Sequence, residues 1–177
     1  MSHNSIDMTT HGYSREHRFQ QLEKARALAT ECSYDAALEV VEKLLFDSPN
    51  DIEILRLKGN ILEQKTLDLY EYSQQKLTRS SEFLLARECY EQILRLDPQN
   101  SVALIDLGDH YKYLDAYDKA FSYYDQAVAV LRSCKNSLSR FEEIEELLGT
   151  CLDLGRQKQT EERAQRLKVA CEELLQI

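Results

Sequence analysis

The stretch LIDLGDHYKYLDAYDKAFSYYDQAVAVL, residues 104–131, carries the pattern that decides the fold. Large apolar side chains recur at helical spacing in both halves, and each half contains a small residue, Gly108 in the first and Ala120 in the second. Small residues are expected where two antiparallel helices touch, because a larger side chain would push the helix axes apart. The stretch therefore predicts a helical hairpin over about residues 101–134.

The same spacing recurs along the chain. Gly108 precedes Ala120 by 12 residues, and Ala25 precedes Ala37 by the same distance. The only two prolines are 49 residues apart, and Gly59 lies 49 residues before Gly108. A fixed period of this kind indicates a tandem array of one structural unit.

The pattern resembles the tetratricopeptide repeat, in which pairs of antiparallel helices stack into a right-handed superhelix. The resemblance implies an all-α array of seven or eight helices, with about three repeats and a C-terminal capping helix pair. We expect a disordered tail at residues 1–14 and a tetratricopeptide-like helical domain at 15–177. The predicted units are repeats at 15–50, 51–100 and 101–134 and a degenerate or capping pair at 139–175, with Gly149 as its repeat glycine.

The second repeat contains extra chain. Gly59 and Ala86 are 27 residues apart instead of 12, which leaves an insertion of 15 residues without glycine or proline. We predict that the insertion lengthens the first helix of this repeat to about residue 78. Two roles stay open: an elongated hairpin packed on its neighbours, or a second contact surface, with a homodimer as one consequence. The residues of this second surface would be Leu69, Tyr70, Tyr72 and Leu77.

Composition and terminal sequence exclude several classes of protein. The formal charge is −9, from 22 basic and 31 acidic residues, and no basic block offers a surface for nucleic acid. No apolar run reaches the roughly 18 residues of a membrane span, and no signal peptide is visible, so we expect a cytoplasmic protein. The five cysteines are widely spaced without a CxxC pair, which predicts free thiols and no zinc site.

Catalytic arrangements are not recognisable in the sequence. No nucleophile with a base, carboxylate pair in a pocket or phosphate-binding loop stands out, so we expect no enzymatic activity, no metal and no cofactor. His110 follows Asp106 by four residues on a predicted helix. We interpret that pair as a solvated contact.

The resemblance also implies a function, since the first helices of tetratricopeptide repeats line a concave groove that binds proteins. The groove positions, matched residue by residue, are Arg56, Leu57, Asn60, Val102, Ile105, Asp106, Asp109, Lys112 and Tyr113. Neighbouring repeats add Phe19, Glu146 and Leu147 among others. The groove is acidic with an apolar strip, which predicts a peptide or amphipathic helix, basic in charge, from another protein.

In this interpretation Leu57, Ile105 and Tyr113 anchor the partner, and Asp106 and Asp109 steer it by charge. The implied function is a non-enzymatic adaptor or scaffold. The alternative is a secretion-type chaperone for a translocated or aggregation-prone protein.

Overall fold

The computed structural model describes residues 7–133, 138–156 and 159–176, with side chains described from residue 15 onward and, after the first gap, from residue 140. These residues form nine helices and no strand, which confirms the all-α prediction and exceeds the expected seven or eight helices. The helices are α1 Asp7–Thr30, α2 Tyr34–Asp47, α3 Ile52–Tyr70, α4 Gln74–Leu77, α5 Ser81–Leu96, α6 Ser101–Tyr113, α7 Tyr117–Ser133, α8 Leu138–Leu154 and α9 Glu161–Leu175.

The helices stack as consecutive hairpins. Each long helix packs most extensively on its hairpin partner, in the pairs α1 with α2, α3 with α5, α6 with α7 and α8 with α9. The second helix of a pair then packs on the following pair, as α2 does on α3 and α5 does on α6. This nearest-neighbour stacking is the architecture of a helical repeat array.

The N-terminal helix begins earlier than the expected start of the domain. α1 begins at Asp7, inside the predicted tail of residues 1–14, while residues 1–6 of that tail lie outside the described residues. In the last pair, α8 ends at Leu154 and α9 begins at Glu161. This last pair, predicted to be a degenerate repeat or a capping pair, occupies the C-terminal end of the described array.

Glycine and tyrosine make complementary contacts inside the second and third pairs. A Cβ added to Gly59 would lie 2.5 Å from Cε1 of Tyr90, and one added to Gly108 would be still closer to the same atom of Tyr124. Both tyrosines are fully buried. The missing side chain in the first helix therefore makes the room that the aromatic ring of the second helix fills.

The last pair does not repeat this contact. Gly149 has open space around its Cβ position, so its predicted role at the helix contact is wrong. Gly155 faces the partner helix instead, with 3.9 Å between its Cβ position and Cβ of Ala164. Lys168 follows Ala164 by four residues, where the third pair has Tyr124 four residues after Ala120. No aromatic ring therefore covers the glycine in this pair.

The insertion does not form the predicted straight helix to residue 78. α3 ends at Tyr70, and the backbone turns through Glu71 and Tyr72, which have φ angles of 50° and 59°. Left-handed angles are uncommon for residues other than glycine, so no residue type in this segment predicts the turn. The chain then forms the short helix α4.

Burial of one side chain explains why the insertion folds back. Leu77, at the end of α4, is fully buried and packs in a core cluster with Leu67 and Phe83. Half-buried Tyr70 and Tyr113 pack against the same cluster. A straight helix would have left Leu77 without these partners. The fold-back is therefore favoured, because burying a leucine stabilises a protein by roughly 1.5–3 kcal/mol relative to leaving it exposed.

Candidate functional site

The first helices of the four pairs lie side by side. α1 contacts α3, α6 contacts α8, and the side chains of Arg56 on α3 and Asp106 on α6 bridge the middle two. We call the surface formed by α1, α3, α6 and α8 the groove face. It brings together the predicted groove residues of the second and third repeats.

Arg56 and Asp106 form a bidentate ion pair between repeats. Nε of Arg56 donates to Oδ2 of Asp106 at 2.8 Å, and Nη2 donates to Oδ1 at 3.1 Å. Asp106 is buried, and burial raises its pKa although the arginine acts in the opposite direction. This corrects the predicted role of Asp106, because its carboxylate is engaged inside the protein and is not free to steer a partner.

Asp109 is also engaged. Its Oδ1 accepts hydrogen bonds from the Tyr124 hydroxyl at 2.8 Å and from Nζ of Lys112 at 2.7 Å. The Lys112 ammonium lies 5.3 Å from the ring centroid of Tyr113, which in turn lies 5.8 Å from the ring of Tyr72. Lys112 therefore already contacts both the carboxylate that was expected to steer the partner and the ring that was expected to anchor it.

The apolar strip is narrower than expected. Ile105 and Leu147 are fully buried within the array, so the anchor role predicted for Ile105 is corrected. Leu57 on α3 and Val102 on α6 are half-buried, and Asn60 on α3 is exposed. Apolar contact on the groove face is thus available at Leu57 and Val102.

The proposed second surface divides in two. Leu77 belongs to the core, as described above, and Tyr70 is half-buried against it. Leu69 and Tyr72 are 59% and 58% exposed. Since the ring of Tyr72 contacts that of Tyr113, Tyr72 adjoins the groove face.

Sequence reasoning missed a buried pair between α3 and α6. His110 is fully buried, its Nδ1 lies 2.8 Å from Oε1 of Glu63, and its ring stacks on Phe83 with 4.0 Å between centroids. The expected solvated contact of His110 with Asp106 is therefore wrong. Burial lowers the pKa of His110 to about 3.

Glu63 is the matching acid of this pair. Burial raises its pKa well above the ordinary value, and the negative charges of Asp106 and Asp109 add to the shift. Its position could have been found in the sequence, since Glu63 follows Arg56 by seven residues and two helical turns return to the same face. The pairing of Glu63 with His110 could not have been predicted in this way, because the two residues are 47 positions apart in the chain.

One acid of the groove face forms no ion pair or hydrogen bond with any residue that the structure describes. Among the predicted groove acids that the structure describes, Glu146 on α8 alone makes neither an ion pair nor a hydrogen bond. It is solvent-accessible but partly desolvated by its neighbours, and this desolvation, together with the charges of Asp106 and Asp109, raises its pKa although the charge of Arg56 acts in the opposite direction. A cation placed beside Glu146 would compensate its charge and so offset both effects.

Two further properties concern the described residues as a set. They contain no group of three or more histidine, cysteine, aspartate or glutamate side chains arranged to hold a metal ion. None of the described helices is long and apolar enough to cross a membrane.

These helices define an all-α helical repeat array of the tetratricopeptide type. Among solved structures, a monomeric IFIT1 mutant with Gppp-AAAA matches with a TM-score of 0.53 and 16% identity, over 89% of this chain and 47% of that chain. The chain thus spans about half the length of that structure. A crystal structure of MamA matches with a TM-score of 0.41 and 18% identity, over 86% of this chain and 94% of that chain.

No protein-family model matches the sequence, and no curated protein matches it significantly. The likeness to IFIT1 supports the fold alone, because the identity is low.

Proposed function

We propose that the chain is a non-enzymatic adaptor whose groove face binds a basic segment of another protein. The observation that carries this proposal is the unpartnered Glu146, set on the same face as half-buried Leu57 and Val102. A lysine or arginine of the partner would pair with Glu146, and apolar side chains on the same segment would cover Leu57 and Val102. An amphipathic helix presents charged and apolar side chains in this way.

The ion pairs within the protein indicate where a positive charge of the partner would bind. Arg56 and Lys112 already compensate Asp106 and Asp109, so those aspartates contribute a residual field and not a binding pair. Glu146 forms no ion pair with a described residue, and the charges of both aspartates and of Arg56 act on it. We therefore place the partner's cation over α8, next to the third repeat.

A nucleic-acid ligand fits this face poorly. The solved IFIT1 structure contains Gppp-AAAA. On the groove face of this chain the two central cations are bound to aspartates, and the free group is a carboxylate. Phosphates would meet repulsion there, since affinity for nucleic acid depends largely on unpaired lysine and arginine.

The first experiment maps the contact with a photo-crosslinking residue, benzoylphenylalanine. It replaces Tyr72, an exposed aromatic next to the groove face, or Phe46, an 89% exposed aromatic on α2. Irradiation in the native cell should give a covalent adduct with one protein from position 72 and no such adduct from position 46. Equal adducts from both positions would remove the groove face as the binding site.

The second experiment tests the charge. Glu146→Gln should weaken capture of that protein several-fold and reduce its dependence on salt concentration, because one charge pair is lost. Glu145→Gln is the matched control, since Glu145 is the adjacent exposed glutamate of α8. If the two variants bind alike, the pairing with Glu146 is wrong even where the crosslink at position 72 persists.

A further inference from the structure

The turn of the insertion places one exposed aromatic ring next to the groove face. Tyr72 follows the end of α3, and its φ angle of 59° belongs to the left-handed turn that leads into α4. Its ring lies 5.8 Å from that of Tyr113, with an angle of 54° between the ring planes. This contact holds the ring against α6, yet the residue is 58% exposed, so more than half of its surface stays in solvent.

Two neighbouring tyrosines, Tyr70 in the chain and Tyr113 in the fold, already have a lysine over the ring. Nζ of Lys76 lies 5.9 Å from the ring centroid of Tyr70, and Nζ of Lys112 lies 5.3 Å from that of Tyr113. Among the described residues no cation lies over the ring of Tyr72, although Tyr72 is exposed and the other two tyrosines are half-buried. Since the face of an aromatic ring attracts cations, Tyr72 offers a position that a cation of another molecule can take.

Negative charge surrounds this ring. Glu71, the adjacent residue in the chain, is exposed. Burial raises the pKa of the Tyr113 hydroxyl, and the charges of nearby acids, that of Asp109 first and that of Asp153 among the others, raise it further. Because the same charges favour a cation, they complement the basic segment that the groove face is proposed to bind.

We propose that Tyr72 binds an arginine of the partner segment, with the guanidinium stacked on its ring. This inference rests on the proposed function and adds a second contact to that of Glu146. Arginine suits the position better than lysine, because a guanidinium is planar and less strongly hydrated than an ammonium group and so stacks on a ring that water still reaches. The partner segment is then expected to carry two positive side chains, one over α8 and an arginine over the turn after α3.

The test uses two labelled peptides, nona-arginine and nona-lysine, as probes of the cation in fluorescence anisotropy titrations of the full chain. Tyr72→Leu should weaken binding of nona-arginine by about two- to fivefold, the effect of one exposed cation–π contact, and should change binding of nona-lysine less. Tyr72→Phe keeps the aromatic face and should retain the wild-type affinity for both peptides. Phe46→Leu removes an 89% exposed ring on α2 and should also leave both affinities unchanged.

Glu146→Gln separates this inference from the proposed function. Loss of the carboxylate charge should weaken binding of both peptides, because pairing with a carboxylate does not require a guanidinium. If Glu146→Gln has this effect and Tyr72→Leu has none, the arginine contact is wrong while the groove face stands. Equal weakening of both peptides by Tyr72→Leu, or an effect no larger than that of Phe46→Leu, would also overturn the stacking of an arginine on Tyr72.

Discussion

At the scale of single residues, the contact between glycine and tyrosine predicts opposite effects for two alanine substitutions. Gly108→Ala should destabilise the protein by about 1–3 kcal/mol, because its Cβ would overlap the ring of Tyr124, which is fully buried and held by Asp109. Gly149→Ala should instead stabilise it by about 0.5–1 kcal/mol, since the position is helical and open. Urea denaturation measures both, and equal signs would contradict the packing assignment.

The buried pair of Glu63 and His110 predicts a pH effect. The pKa of His110 is lowered from 6.5 to about 3, so the unfolded chain binds the extra proton and stability falls as the pH drops below about 6.5. The pKa of Glu63 is raised, so the folded chain binds its proton more readily and stability rises as the pH falls through that pKa. In the wild type the two effects partly cancel.

Glu63→Gln keeps the side-chain size and removes the opposing effect. We expect its free energy of unfolding to fall more steeply from pH 7 to pH 5 than that of the wild type, by up to about 1 kcal/mol per pH unit. Glu39→Gln removes an exposed carboxylate on α2 and should keep the wild-type slope. A shallower slope for Glu63→Gln would show that Glu63 is ionised in this range.

At the scale of elements, the insertion is predicted to be part of the core. Leu77→Ala should cost about 2–5 kcal/mol, because the leucine is fully buried between α3 and α5. Leu69→Ala, at a 59% exposed position of the same segment, should cost less than about 1 kcal/mol.

Deleting residues 64–78 should unfold the second repeat, because the deletion removes the buried Leu77 from the core. A stable deletion variant would show that the insertion is dispensable.

At the scale of the whole molecule, the ion pair of Arg56 and Asp106 is predicted to help couple the second repeat to the third. Arg56→Met would leave Asp106 buried without its cation and should cost about 2–3 kcal/mol, less than for a fully buried pair because the Arg56 side chain is 37% exposed. Since a repeat array is held by contacts between neighbours, the unfolding transition should also become less cooperative.

The control for this prediction is Arg166→Met, which removes an exposed pair with Glu162 within α9. Exposed pairs of this kind contribute about 0.5 kcal/mol or less, so its urea midpoint and slope should stay near the wild type. Equal loss of stability in both variants would contradict a special role for the Arg56 and Asp106 pair.

The sequence by itself determined the repeat architecture. The 12-residue spacing of Gly108 and Ala120 reports a contact inside one hairpin, where helix geometry fixes which positions meet. For the same reason Arg56, Asn60 and Glu63 could be assigned to one face of α3, since helical periodicity is local. The all-α fold and the order of the hairpins follow from such short-range rules.

The tertiary structure alone decided which charges remain free. Asp106 meets Arg56, and His110 meets Glu63, across about 50 positions of chain, so no local spacing predicts these pairs. Tertiary packing also decided the fold-back of the insertion, because burial of Leu77 against Phe83 outweighed the cost of two left-handed residues in the turn. Contacts between repeats thus left Glu146 without an ion pair among the described groove acids, because Arg56, whose charge acts on it, is already bound to Asp106.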